Sequence, residues 1–414
     1  MTTLTLDPIA SGTPDDAAVR SAATTGRLLA EIDRLEPDFV AEIAGNEQAG
    51  RLSQRSLDLL QDLGIPQMML AEEHGGYGMF PIDALPVLVR LARIDSSIGW
   101  IGGNWSCSGV FLSYLESDAV DEILDDGVGY FGVSGAPTGT ARITDGGYVL
   151  SGKWGFGSGN LHAAWVLVNA RLLDSDGTPV SGPGGGPTIA TFGVPGSAIE
   201  TLGNWDVLGL RGTGSVDFSI TEHFVPNRYR TDMFAAPKRG GRQISGSFLS
   251  FLPLLHTSFA LGTAESILHD LATLASTPNS RGDKLADESS FRDAYAHQDI
   301  AVASARALVY QYWREADQHL KSGSVPLPRR TFTHLRQATV NMHDVLRDLA
   351  VFAFKRGSGT TLHDGPLQRK IRDALAGCQH LIATEAQYVD IGWELLGAPE
   401  NLVWGDRSLI AVPS

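Results

Sequence analysis

The hydrophobic pattern of this 414-residue chain changes period twice, and that limits the folds open to it. From about residue 20 to 125, apolar residues recur at helical spacing. In "RLSQRSLDLLQDLGI", Leu52, Leu57, Leu60 and Leu63 fall near one face and Gly64 supplies a C-terminal stop. Near residue 128 a β-type alternation takes over. "GGYVLSGKW", "AAWVLVNARLL", "TIATFGV" and "SVDFSITEHFVP" read as strands, and "DSDGTPVSGPGGGP" as a polar loop between two of them. After about residue 230 the helical period returns. Met342, Val345, Leu346, Leu349, Phe352 and Ala353 make one stripe, and Ile371, Leu375, Cys378, Ile382 and Val389 another. The pattern predicts a mobile arm over 1–20, an N-terminal helical domain over 21–127, a middle β-domain over 128–230 and a C-terminal helical bundle over 231–414.

Composition narrows the function classes. A formal net charge of −15 disfavours nucleic acid as a partner, because phosphate backbones are bound by basic surfaces. A few local arginines would still serve one phosphorylated cofactor. The two cysteines, Cys107 and Cys378, are too few for a disulfide framework or a Cys-based zinc site, and fit a reducing compartment. No apolar run approaches the roughly 20 residues that span a bilayer, and the first residues lack a basic-then-apolar signal pattern. The chain therefore reads as cytoplasmic, with no membrane contact.

Four segments hold the groups that chemistry would need. "GKWGFGSGNLHAAW" (152–165) combines two aromatics, bare glycine backbone and the Ser158 hydroxyl. An extended strand would put Trp154 and Phe156 on one face, open to a planar ligand; a tight hairpin with a core tryptophan fits the same residues. "SGAPTGTA" (134–141) adds Ser134. "WDVLGLRGTGS" (205–215) adds Thr213 and Ser215 in a glycine-rich loop suited to an anion or a polar ring edge. Neither loop has the pattern of a dinucleotide-binding or Walker motif. In the C-terminal region Arg369, Asp373, Gly377 and His380 recur at helical steps, as a solvated face or as the wall of a site. His380 has the chemistry of a general base near neutrality. The other histidines, among them His162, His256 and His343, show no metal-ligand spacing, and no metal is expected.

These segments, in this order, resemble the acyl-CoA dehydrogenase superfamily, and within it the two-component flavin-dependent monooxygenases. The matching stretches are "GIPQMMLAEEHGGYG", "SSIGW", "SGAPTGTARITDGGYVLSGKWGFGSGNLHAAW", "WDVLGLRGTGSVDFSITEHFVP" and "PLQRKIRDALAGCQH". The resemblance implies a mainly α fold with a central β-domain: an N-terminal helical domain, a barrel-like middle domain and a C-terminal four-helix bundle, assembled as a homotetramer. It implies reduced flavin (FMNH2 or FADH2) and O2 as cofactors, a separate reductase as partner, and a C4a-hydroperoxyflavin that oxygenates a small organic molecule. Carried over residue by residue, Trp154 and Phe156 wall the flavin, Ser158 reaches its N5, Thr213 and Ser215 match the flavin loop, and Ser134 is a substrate- or flavin-facing hydroxyl. Arg281 and Arg369 are candidates for the flavin phosphate, and His380 is the acid/base.

Two departures separate the branches. Dehydrogenases of this fold carry a glutamate shortly after an Arg-Asp pair. Here Arg372-Asp373 is followed by "ALAGCQHL", with His380 almost at the glutamate's place. Aromatic hydroxylases often carry a second histidine where this chain has Ser108, so phenol deprotonation from that position is missing. Trp100, Asn104, Ser108 and Ser134 are the substrate-side candidates, with plain helix packing as the other reading of Asn104 and Ser108. A dehydrogenase or desaturase of the same fold, and a flavin-free descendant that binds a ligand or partner or catalyses a non-redox step, are the alternatives.

Overall fold

Three blocks of secondary structure follow the three blocks of pattern. The computed structural model describes residues 14–411 apart from 126–129, 183–185, 233–234, 247, 324–325 and 406–407. The first block is α1 (Pro14–Ala49), α2 (Gln54–Leu63), α3 (Pro81–Ile94), α4 (Ser96–Ser108) and α5 (Ser117–Asp125). Residues 14–20, placed in an arm by composition, are the first turns of α1, where Arg20 pairs with Glu72 at 3.0 Å. The rest of that arm lies outside the described residues. Helix α2 is closed as its sequence suggests. The Ser53 hydroxyl accepts from the Ser56 N–H, and Gly64 turns left-handed at φ 75° to end it.

Helix α4 is the axis of the molecule, and every one of its residues is buried. Asp95 starts it, accepting from the N–H groups of Ser97 and Ile98. Small residues let neighbouring helices approach closely. A Cβ on Gly99 would sit 2.4 Å from the Ala92 Cα, and one on Gly103 would sit 2.4 Å from the Leu255 Cδ1. Alanine at Gly99 would drive α3 and α4 apart, whereas at Gly103 it would displace the end of the Leu255 side chain.

The second block is one seven-stranded sheet: β1 (Phe131–Thr144), β2 (Gly147–Trp154), β3 (Trp165–Leu173), β4 (Ile189–Pro195), β5 (Glu200–Thr201), β6 (Phe218–Pro226) and β7 (Arg230–Asp232). The order is β5-β6-β2-β1-β3-β4-β7, antiparallel except where β1 runs parallel to β3. The β1–β3 register shifts between Ser134 and Gly139, next to the glycine-rich segment 155–160.

The third block packs α6 (Phe251–Ser276), α7 (Ser289–Ser322), α8 (Arg329–Arg356) and α9 (Pro366–Gly377) into a bundle, with α3 and α4 against α6. Helix α10 (Ala386–Leu395) and the hairpin of β8 (Leu402–Trp404) and β9 (Leu409–Ala411) close it. The fully buried Arg336 ties these together, donating to the Gln387 side chain at 2.8 Å and stacking over Trp404. Among the described residues no helix is long and apolar enough to cross a membrane.

One expectation changes. The stripe from Ile371 to Val389 is not one helix. Helix α9 ends at Gly377, and the chain turns before α10, leaving Val389 73% exposed. His380 therefore leaves the helical face it was assigned to. It sits in extended backbone at φ −66°, ψ 143°. Asp373, still on α9, is buried rather than solvated.

Candidate active site

All three blocks meet at Trp100. Its indole N–H donates to the Ser158 hydroxyl at 3.1 Å. Ser158 and Ser215 are hydroxyl to hydroxyl at 2.8 Å, and Ser215 and Thr213 at 2.7 Å. The Thr213 hydroxyl donates to the Leu210 carbonyl at 2.7 Å. A carbonyl only accepts and an indole N–H only donates, so the two ends set the direction of the chain. Thr213 gives its proton to Leu210, Ser215 gives its proton to Thr213, and Ser158 gives its proton to Ser215. Every hydroxyl proton is committed, and Ser158 keeps an acceptor lone pair.

The loop that presents Thr213 and Ser215 is held from below by α9. Leu210 and Gly214 are both left-handed, at φ 55°. The Leu210 N–H donates to the Asp373 carboxylate at 2.6 Å, and Arg372 donates to the Leu208 carbonyl at 2.8 Å. A Cβ on Gly209 would lie 2.2 Å from the Arg372 carbonyl oxygen. Burial, with the Asp95 carboxylate next, pushes Asp373 up to about 8, and burial raises Asp95 as well. At neutral pH the anchor beneath the loop is thus largely a neutral acid.

The two aromatics of the opening segment part company. Strand β2 ends at Trp154, whose ring is 1% exposed, stacked on Phe218 and donating to the Asn169 carbonyl at 2.9 Å. The Trp154 ring, expected along a cofactor, fills the sheet core against Gly139. Phe156 adopts φ 57° and stands 74% exposed, with Trp205 edge-on at 6.3 Å. A bulky residue held left-handed with an open ring is a costly arrangement that surface packing does not require. The Ser134 hydroxyl turns inward and donates to the Gly155 carbonyl at 2.8 Å, so it shapes this loop instead of facing outward.

On the other side of Trp100 lies a group of imidazoles. His380, half-buried, is 5.9 Å from the Trp100 ring. His256 of α6 is 5.2 Å from Trp100 and 4.1 Å from His380, and His343 of α8 is 5.4 Å from His256. Both His256 and His343 are fully buried. Burial, then the neighbouring His380 and His343, holds His256 well below the usual imidazole range, and burial lowers His343 to about 4. Both are neutral at pH 7. Sequence reasoning passed over these two because each sits among the apolar residues of a core helix.

Comparisons with known proteins agree with this architecture. The family described as acyl-CoA dehydrogenase, C-terminal domain, matches residues 254–385. A pigment production hydroxylase of Rhodococcus erythropolis is 28% identical, over 86% of this chain and 93% of its own. The oxygenase subunit HsaA, a flavin-dependent monooxygenase of Mycobacterium tuberculosis, is 26% identical over 90% of this chain and 96% of its own. The solved structure of XiaF from Streptomyces sp., in complex with FADH2 and glycerol, superposes with a TM-score of 0.84 at 21% identity, covering 93% of this chain and 98% of XiaF. Over most of its length the chain is similar to flavin-dependent monooxygenases, and it shares the fold of XiaF.

The remaining candidates fall into two groups. Asn104 and Ser108 are buried on α4 beyond Trp100, and the Ser108 hydroxyl donates to the Asn104 carbonyl at 2.5 Å, within the helix. Arg281 and Arg369 are not joined to the hydroxyl chain by any contact among the described residues. Arg281 is exposed in the turn after α6, and Arg369 faces Asp95 at 3.9 Å beside Arg93, His269 and Lys370. Among the described residues no cluster of His, Cys, Asp or Glu could hold a metal ion. His162, part-buried near Arg51 with its pKa lowered to about 4 by burial, lies on the short turn after Ser158.

Proposed function

We propose that this chain is the oxygenase component of a two-component flavin-dependent monooxygenase system. In this reading it takes FMNH2 or FADH2 from a separate reductase and transfers one oxygen atom from O2 to a small organic substrate. Bound reduced flavin supplies the electrons that activate O2, by way of a C4a-hydroperoxide. The residues present fit such a group. The open Phe156 ring with Trp205 at its edge suits a planar system.

The observation that carries the reading is the direction of the hydroxyl chain. Reduced flavin bears a proton on N5, and oxidised flavin bears a lone pair there. Ser158, its own proton given to Ser215, offers an acceptor to the reduced form and no donor to the oxidised one. A neutral hydrogen-bonding mismatch of this kind costs about 1–3 kcal/mol. The chain therefore favours the cofactor state that the chemistry begins from. His380, across Trp100, is the acid/base group, and the stretch after Arg372-Asp373 that would hold a dehydrogenase's glutamate holds this histidine instead. Dry surroundings, with Trp100 and both buried imidazoles excluding water, protect an oxygen adduct from decay to H2O2.

The test is to mix the anaerobic protein–FMNH2 and protein–FADH2 complexes with O2 and follow absorbance. The reading expects a transient hydroperoxyflavin with at least one of them. Direct reoxidation with both, with and without candidate aromatic substrates, overturns it.

A further inference from the structure

Two of the imidazoles beside Trp100 carry buried nitrogens that bond to nothing among the described residues. His343 Nδ1 lies 2.8 Å from the Thr339 carbonyl oxygen. That oxygen can only accept, so Nδ1 holds the proton of the neutral ring and Nε2 is an unpartnered lone pair. Both ring nitrogens of His256 are unpartnered too, on a side chain with no exposed surface. A residue needed for packing alone would be served by phenylalanine, which has no polar atoms to desolvate. The two rings are 5.4 Å apart, centroid to centroid. An N–H···N bond of about 2.9 Å joins imidazoles whose centroids are about 5 Å apart, so a small rotation of His256 within its own volume closes one.

Toward the site, His256 offers its ring face instead of its nitrogens. Its ring is 4.1 Å from that of His380 with a tilt of 39°, the spacing of two rings in face contact, and it meets Trp100 edge-on at 5.2 Å. Such a contact fixes the plane of the His380 ring whatever its nitrogens bond. His380 stands in extended backbone between α9 and α10, so no α-helix of its own orients it. We propose that His256 donates a hydrogen bond to His343 Nε2, and that this imidazole pair fixes His256 as the platform on which His380 stacks. The Thr339 carbonyl sets the direction of the pair, and the pair ties α6 to α8 beside the site. His256 is thereby a positioning residue, and no proton passes through it.

The inference rests on reading His380 as the acid/base group, but its main test needs no flavin. Magic-angle-spinning NMR of histidine-labelled, flavin-free protein near pH 7 reads both parts. Wild type should show His343 protonated at Nδ1, with its Nε2 correlated through space to a protonated nitrogen of His256. The His380 ring protons, assigned by their loss in His380→Asn, should be displaced upfield by the ring they stack on. His256→Phe, which keeps a ring face and has no nitrogens, should abolish the nitrogen correlation and keep much of the upfield displacement. His256→Leu should abolish both, and lower product formed per reduced flavin by about tenfold at unchanged flavin binding. Protonation of His343 at Nε2, or no correlation between the two imidazoles, overturns the pair. His380 ring protons undisplaced in wild type, or a displacement unchanged in His256→Leu, overturns the platform; the wild-type spectrum alone decides if a variant does not fold. The expected spectra with no hydroperoxyflavin would leave pair and platform standing and remove the monooxygenase reading.

Discussion

The hydroxyls of the middle domain and the imidazoles of the bundle flank the same tryptophan, yet they are held in opposite ways. Ser158, Thr213 and Ser215 sit on glycine-rich loops between strands, where left-handed backbone at Leu210 and Gly214 aims them. His256 projects from the second turn of α6 and His343 from the middle of α8, and both are surrounded by core. A loop-borne chain is adjustable, and its order comes from the carbonyl and N–H at its ends. A helix-borne cluster is rigid, and its order comes from tertiary packing. The difference suggests a division of labour: the loop side grips a cofactor that comes and goes, and the helix side keeps a proton-handling group at a fixed angle.

The largest expected effect comes from removing the exposed end of the helix side. His380→Asn should lower product formation by about 10²–10³-fold, in the range of a lost acid/base group, with reduced-flavin binding within about twofold of wild type. Product yield and a fluorescence titration on the same sample check both halves. A parallel loss of binding would mean that the two sides are not separable.

Next comes the loop side. Ser158→Ala should weaken reduced flavin by roughly five- to thirtyfold, the equivalent of about 1–2 kcal/mol, and leave oxidised flavin nearly unchanged. It should also raise the share of O2 released as H2O2. Thr213→Val is subtler. It cuts the chain from the Leu210 carbonyl, frees the row of hydroxyls to reverse, and should shrink the preference for reduced flavin by about threefold. Separate titrations with FMN and FMNH2 read both variants.

The last effect, on stability and not on turnover, is at the anchor beneath the loop. Asp373 is raised from 3.8 to about 8, so the unfolded chain releases its proton near pH 4 while the folded chain holds it until about pH 8. The folded state binds more protons across that window, and stability falls as pH rises through it. Asp373→Asn keeps an acceptor for the Leu210 N–H and removes the titration. It should flatten the pH dependence of Tm between about 4 and 8 with little change near pH 4.

The two sides also differ in how far they can be read from residues alone. Hydroxyls among glycines announce themselves, because glycine clusters punctuate a strand pattern and leave few other uses for a serine. The helix–sheet–helix order was legible for the same reason, through changes of period. His256 and His343 were hidden because "FLPLLHTSFAL" and "VNMHDVL" obey the spacing of an ordinary core helix. Their convergence depends on how α6, α8 and the turn after α9 pack together. Trp154 and Phe156 show the converse error. Alternation placed them on one face, and the left-handed turn at Phe156 sent one ring into the core and the other outward. His380 looked helical for want of a break signal, since Gly377 ends α9 where the pattern runs on.

The most direct measurement is a pair of equilibrium titrations of wild-type protein, with oxidised and with anaerobically reduced FMN and FAD. The direction of the hydroxyl chain predicts that at least one flavin binds its reduced form about tenfold or more tightly than its oxidised form. Equal affinity for the two states, or tighter binding of the oxidised one, would contradict the account.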